Sequence, residues 1–216
     1  MLCAVADRDD QPWRIELSKE VDQWLDTLSL KGKAQAIRAL DLLAKRGSQL
    51  GMPHGRKLDD RLWELRFRCD QMNQRITYTV EPERRIITLT AFRKQRSNER
   101  KVVQRGTQRA APTPRRYPIS DYNQRRQQLI DELAPSEREV FDEAYATAGL
   151  AMQLAETVYR ARESAGLTQT ELARRMGTTQ SAIAAVEGGA RTPTVELLER
   201  LARACGGRLT IRIDAA

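Results

Sequence analysis

Apolar positions in the first half of the chain recur with two periods, one typical of strands and one of helices. Residues 13–17 alternate apolar and polar side chains, which predicts a half-buried strand, and residues 62–68, 75–80 and 85–92 predict three more. Helical spacing follows the first strand and continues up to a stop at Gly47, with apolar positions at Val21, Trp24, Leu25, Leu28, Ala34, Ile37, Leu40 and Leu43. A last helix is predicted from residue 97 to about 109. The order β-α-α-β-β-β-α predicts a curved antiparallel sheet packed against a helical hairpin.

The second half has mostly helical patterns. Three prolines between residues 112 and 118 predict an extended linker, followed by a helix over 122–133 and a longer one that Gly149 breaks. Thr168 and Glu171 have capping-box spacing, which starts a short helix at Gln169. A second short helix is expected over 179–187, and the Thr192-Pro193 pair is expected to start a third. Residues 208–213 alternate as a C-terminal strand does.

These patterns predict an α+β fold followed by an all-α unit. We expect a first domain at 1–110, a linker at 111–121, a helical segment at 122–150 and a helix-turn-helix domain at 151–216. Charge supports the division, because residues 1–111 carry a net charge of +8 and the rest carries none. Nine of the basic residues and a single acid fall between residues 84 and 109. This excess indicates a polyanionic partner.

Composition excludes several classes of function. No long apolar run predicts a membrane span, and three widely spaced cysteines make no metal pattern, so we expect a cytoplasmic protein without metal or cofactor. His54 is the only histidine in the chain, which excludes a paired-histidine ribonuclease site and a zinc HExxH motif. We expect His54 to lie in a surface loop.

The glycine-centred pair of short helices carries a specific pattern. GLTQ at 166–169, ELA at 171–173 and GTTQS at 177–181, with Glu187, Gly189 and a Thr-Pro pair, resemble the helix-turn-helix of XRE-type regulators and HigA-type antitoxins. The resemblance implies operator DNA as a partner. The implied contacts to phosphates come from Gln169, Thr179 and Arg175, and those to base edges come from Gln180, Ser181 and Ala184. The alternative is a helical hairpin that packs and binds nothing.

A second resemblance covers about residues 13–110. LWELR at 62–66, RITY at 75–78 and AFRK at 91–94 look like HigB-type toxins of the RelE/ParE superfamily. The resemblance implies metal-independent cleavage of mRNA on the ribosome, with Arg66 and Arg75 stabilising phosphate and Lys94 transferring a proton or stabilising charge. Tyr78 is either a base-stacking residue or a core residue. The family usually has a lysine where Gln95 stands, which favours the alternative of a repressor with a degenerate toxin-like half. A gyrase-inhibiting half of the ParE type is a third possibility.

Together these features predict a toxin and an antitoxin fused in one chain that represses its own operator. Six acids and one base lie between residues 131 and 143, so we hypothesise that segment 120–148 covers the basic groove of the toxin-like half. We also expect a homodimer formed by pairing of the C-terminal strand with its copy. The partners predicted from sequence are therefore operator DNA, ribosome-bound mRNA and a second copy of the chain.

Overall fold

The computed structural model describes residues 11–93 and 119–213, and contains a mixed sheet followed by helices. The strands are β1 (Arg14–Ser18), β2 (Gly55–Lys57), β3 (Trp63–Cys69), β4 (Met72–Glu81), β5 (Arg85–Arg93) and β6 (Ile119–Asp121). The helices are α1 (Lys19–Asp26), α2 (Leu30–Arg46), α3 (Tyr122–Asp131), α4 (Pro135–Ser164), α5 (Gln169–Arg175), α6 (Gln180–Glu187) and α7 (Val195–Ala204). The helix predicted over residues 97–109 lies outside the described residues.

The six strands form one sheet in the order β2-β3-β4-β5-β1-β6. The prediction of an antiparallel sheet is wrong at one pair, because β1 runs parallel to β5, with Arg14 opposite Arg85. Alternation in a sequence shows which face a residue occupies, but it does not give the direction of a strand relative to its neighbour. β6 was assigned to the linker. It pairs antiparallel with β1 through three residues and attaches the second half of the chain to the sheet.

One face of the sheet packs on α1 and α2, as the alternation predicted. Leu65 and Phe67 of β3 lie beside Ile76 of β4 in a core that also contains Val21 and Leu40 from the two helices. Ser18 ends β1 and caps α1 by accepting a hydrogen bond from the Val21 amide at 3.3 Å. The residues between these core positions, including Glu64, Arg66, Arg68 and Arg75, therefore belong to the opposite face.

The outer side of α2 is covered by α3 and the first half of α4. Apolar residues form this layer, namely Ala34, Ile37, Leu129, Ile130, Phe141 and Ala144. Our hypothesis expected acidic residues of this segment to face basic residues of the first half, but the ion pairs have the opposite signs. Arginines of α3 bind aspartates of α1 and α2: Arg125 binds Asp22 at 2.8 Å and Arg126 binds Asp41 at 3.2 Å. The hypothesis that segment 120–148 covers the basic groove is wrong, since this segment lies on the helical side of the sheet.

Helix α4 runs without interruption for 30 residues, so the predicted break at Gly149 is wrong. A Cβ atom at Gly149 would stand 2.5 Å from Nε of Arg38, which shows how closely α4 packs against α2 there. Two contacts then fasten the middle of α4 to the sheet half. Arg46 binds Glu156 at 2.5 Å, and Nε2 of His54 donates to the Met152 carbonyl at 2.8 Å. We call these two contacts the latch.

The C-terminal helices surround the end of α4. Val158 from α4 joins a separate core made of Leu167, Leu172, Ala173, Met176, Ile183, Val186 and Leu201. Helix α5 begins at Gln169 with the Thr168–Glu171 capping box, as predicted. Helix α7 begins at Val195 with Thr194 as its cap, so the start assigned to Thr192-Pro193 is two residues early. Residues 208–213 form no strand within the described part of the chain, so the C-terminal strand is not confirmed.

The latch histidine generates a prediction about pH. Burial lowers the pKa of His54 from its ordinary value of 6.5, against opposing contributions from the Met152 carbonyl and the Glu156 carboxylate. The unfolded chain therefore binds a proton more readily, so the free energy of unfolding should fall as the pH falls through 6.5. Urea denaturation at neutral pH and at about pH 5 measures this, in a window where carboxylates titrate little.

The matched variant is His54→Gln, whose side-chain amide can donate to the same carbonyl but does not titrate. Its unfolding free energy should change much less over the same pH interval, because no other histidine exists in the chain. Equal slopes for the two proteins would show that the burial of His54 has no effect on stability.

Candidate nucleic-acid interface

Arg66 and Arg75 stand directly opposite each other on neighbouring strands β3 and β4. Both lie on the face of the sheet turned away from α1 and α2, together with Arg68. Two of the three candidate catalytic residues thus lie beside one another, on one face, where the arginines were expected to converge. The third, Lys94, lies outside the described residues. We use the term basic face for Arg66, Arg68 and Arg75 with the strand surface between them.

The carboxylate of Glu64, which was not among the candidate residues predicted from sequence, lies between the two arginines. Oε1 of Glu64 is 3.4 Å from Nε of Arg66 and 3.3 Å from Nε of Arg75. Glu64 is only 4% exposed, and a buried carboxylate requires such partners. The three residues together carry one positive charge. The alternation of LWELR could have revealed this, since Glu64 and Arg66 are two positions apart and share a face.

The guanidinium groups have further contacts that fix their orientation. Nη1 of Arg75 donates to the carbonyl oxygen of the preceding residue, Gln74, at 2.9 Å, and the Arg75 side chain is buried. Nη1 of Arg66 lies 3.0 Å from the sulfur of Met52, and its side chain is partly exposed. Of the pair, Arg66 is thus the more accessible to a phosphate group from solvent.

The structure decides between the two alternatives for Tyr78 and corrects the prediction for His54. Tyr78 is a core residue: it is fully buried, lies 6.5 Å from the ring of Trp63, and burial raises the pKa of its hydroxyl. His54, expected in a surface loop, is buried in the latch. The reason is that α4 covers the loop before β2, a long-range contact that the local sequence does not encode.

The candidate DNA-reading residues gather at the start of α6. Thr179 caps this helix, and Gln180 and Ser181 are exposed in its first turn, whereas Ala184 is half-buried one turn later. Gln180 donates to Gln169 at 2.7 Å, so α5 contributes to the same surface. Arg175 is exposed at the end of α5 and donates to the Ala204 carbonyl at 3.0 Å. We call Gln180, Ser181 and Ala184 the reading side of α6.

A buried ion pair holds α5 and α6 at a fixed angle. Arg162 of α4 binds both carboxylate oxygens of Glu187 at 2.5 and 3.0 Å, and Gln169 donates to the same carboxylate at 2.8 Å. The hydrogen bond to Glu187 raises the pKa of Arg162. The chain Arg162–Glu187–Gln169–Gln180 thus connects the interior of the domain to its surface. Glu187 belongs to the sequence pattern of the helix-turn-helix, whereas no sequence pattern indicates the role of Arg162.

The reading side of α6 and the basic face are the two walls of one cleft. The cleft has a volume of about 610 Å³, and its lining includes His54, Arg66, Asn73, Arg75, Gln169, Gln180, Ser181, Ala184 and Ala190. Nη1 of Arg68 reaches across and donates to the Ala190 carbonyl at 3.0 Å. The surface opposite the arginines is therefore α6 with its candidate DNA-binding residues, whereas the sequence had suggested the acidic segment.

Within the described residues, no group of three or more histidine, cysteine or acidic side chains is arranged to hold a metal ion. In the same part of the chain, no helix is long and apolar enough to cross a membrane.

Comparisons with known proteins show what each half of the chain is similar to. Residues 23–111 match the sequence profile of a family described as phage derived protein Gp49-like (DUF891), and residues 158–211 match a helix-turn-helix profile. An uncharacterized HTH-type transcriptional regulator from Methanothermobacter thermautotrophicus is 49% identical over 45 residues. That match covers 21% of this chain and 65% of the relative. The chain thus combines a region similar to Gp49-like proteins with a region similar to helix-turn-helix regulators.

Proposed function

We propose that this chain is a toxin and its antitoxin in a single polypeptide. Its first half acts on ribosome-bound mRNA, and its helix-turn-helix binds the operator of its own gene. The observation that carries the proposal is the cleft, in which the arginines Arg66 and Arg75 face the reading side of α6. A nucleic-acid site that is covered by the second domain of the same chain has the arrangement expected of a toxin held inactive in cis.

The chemistry proposed for the basic face is attack of an RNA 2′-hydroxyl, which gives up its proton, on the adjacent phosphate. The bond from phosphorus to the 5′-oxygen of the next nucleotide breaks, that oxygen takes up a proton, and the products are a 2′,3′-cyclic phosphate and a free 5′-hydroxyl. Arginine is suited to this role because it stays charged and can bind two phosphate oxygens at once. Arg66 is the accessible clamp, and Arg75 supports it through the shared Glu64 carboxylate. In this proposal Lys94 transfers the proton or stabilises charge, a role that the family resemblance implies. No metal is needed in this scheme.

The geometry also favours a second function, a transcriptional repressor whose toxin-like half has no catalytic activity. Glu64 neutralises one of the two arginine charges and holds both guanidinium groups by their Nε atoms. A basic face balanced in this way could serve only to hold α6 through contacts such as that of Arg68 with Ala190.

RNA cleavage separates the two functions. We expect residues 1–165 to cleave mRNA on programmed ribosomes, because removing α5–α7 uncovers the basic face while β6, α3 and α4 still complete the sheet half. Arg66→Ala in this shortened chain should lower the cleavage rate about 100-fold, the cost typical of losing one donor to a developing oxyanion. Mapped transcript ends measure the rate, and circular dichroism verifies folding. A folded but inactive 1–165 chain would favour the repressor.

DNA reading is tested on α6. Gln180→Ala should change base preference at one position of each half-site, because a side-chain amide can form two hydrogen bonds with adenine worth about 1–3 kcal/mol of discrimination. Arg175→Ala should instead weaken binding evenly and lower the salt slope by about 1. Sequencing of duplexes selected by each variant measures preference. An unchanged profile for Gln180→Ala would remove this residue from the reading set.

The proposed homodimer is tested at the C-terminus. Ile211 and Ile213 are 60% and 92% exposed, and pairing of residues 208–213 with their copy would cover both side chains. Such a dimer could present two reading helices to half-sites about 34 Å apart. Ile211→Asp should therefore give a monomer in light scattering at micromolar concentration, whereas the matched Thr210→Asp, on the other side of the strand, should stay dimeric. A monomeric unmodified chain would contradict the dimer.

A further inference from the structure

We infer that the closed cleft also inhibits DNA binding, so that α6 must move away from the basic face before the chain can read a duplex. The inference rests on the proposed binding of DNA by α6, but it does not depend on any cleavage of RNA. The basic face is thus an intramolecular partner of the reading side. We call the end of α4 from Val158 onward, together with α5, α6 and α7, the reader, and in this inference the closed cleft is its inhibited state.

The first argument is the space that a duplex needs. A helix with its side chains is about 10–12 Å across and enters a major groove about 12 Å wide and about 8.5 Å deep. When α6 lies in the major groove, the two sugar-phosphate backbones that border the groove must pass along both sides of the helix. The cleft on the reading side measures only about 610 Å³ and is bounded by the sheet. A duplex engaging Gln180 and Ser181 would therefore overlap Arg66, Asn73 and Arg75.

The second argument is that specific contacts hold the cleft closed. Arg68 donates to the Ala190 carbonyl just after α6, a hydrogen bond from a charged donor that crosses the cleft directly. Behind the cleft, the latch ties α4 to the sheet half through Arg46–Glu156 and His54–Met152. These three contacts are polar, whereas the first half of α4 is held to α2 by apolar packing that need not change when the cleft opens. The three polar contacts can be exchanged for contacts with water or with phosphate groups when the cleft opens.

The third argument is that the reader can move as a unit. Its core has its own set of apolar residues around Val158, and its internal ion pair, Arg162–Glu187, lies wholly on the reader's side of the cleft. Opening therefore leaves the angle between α5 and α6 unchanged. An equilibrium between closed and open forms lowers the apparent affinity for DNA by the fraction of molecules that are open.

Removal of a positive charge gives the sharpest test. Arg68→Ala in the full chain should bind a duplex of about 30 base pairs from the region upstream of its own gene on the order of tenfold more tightly, because a closing contact is lost. If only net charge mattered, Arg68→Ala would bind the duplex more weakly, since the loss of a cation weakens binding to phosphates. Fluorescence anisotropy at fixed salt measures the affinity.

The matched control is Lys31→Ala, which removes the same charge from the exposed start of α2, on the opposite side of the sheet from the basic face. It should bind this duplex no more tightly than the unmodified chain. Weaker binding by Arg68→Ala, or equal changes in both variants, would overturn the inference. If neither the full chain nor Arg68→Ala binds any duplex, the inference and the proposed DNA binding both fail.

A distance measurement tests the movement itself. Spin labels on Asp60→Cys and Arg191→Cys, exposed positions in the two halves, report the separation in a chain with Cys3→Ser and Cys205→Ser, where Cys69 stays buried. Electron paramagnetic resonance should show a longer distance when the duplex is added. An unchanged distance in a chain with bound DNA would overturn the inference but leave the proposed DNA binding intact.

Discussion

Helix α4 is the constraint on which both halves depend, because it contributes to two separate cores. At about 1.5 Å per residue its 30 residues span roughly 45 Å. Phe141 in its first half packs against α2, and Val158 in its second half lies at the centre of the reader. The direction of this one helix places α6 across from the basic face. The relation between the two candidate sites therefore follows from the packing of α4 on α2.

The sequence predicted local structure well wherever the signal was local. The alternation at 62–68, the stop at Gly47 and the cap at Thr168 each depend on neighbours along the chain, and each element was found within a few residues. The parallel pairing of β1 with β5 and the continuity of α4 through Gly149 depend on contacts between distant segments. No periodicity encodes such contacts, so the direction of β1 and the break in α4 were predicted wrongly.

The candidate sites show the same division. Strand alternation indicated that the arginines converge on one face, but it could not give the register that pairs Arg66 with Arg75. Nor could it show that α6, rather than the acidic segment, lies opposite them. Glu64 shares their face, and only its distances to both Nε atoms reveal that it lies between the two arginines. A buried carboxylate is stable only with partners, so its presence between two arginines balances charge as much as it positions them. The basic face is therefore a structured ionic cluster with one accessible arginine.

Sharing a helix between two cores also determines how the molecule unfolds. If the reader unfolded alone, Val158 would be left on a helix without its apolar partners, and Glu156 with its contact to Arg46 would lose the support of that helix. The stabilities of the two halves are coupled in this way, and the chain should behave as one cooperative unit on heating. The two halves can therefore separate only while both stay folded, because local unfolding of either half lowers the stability of the other.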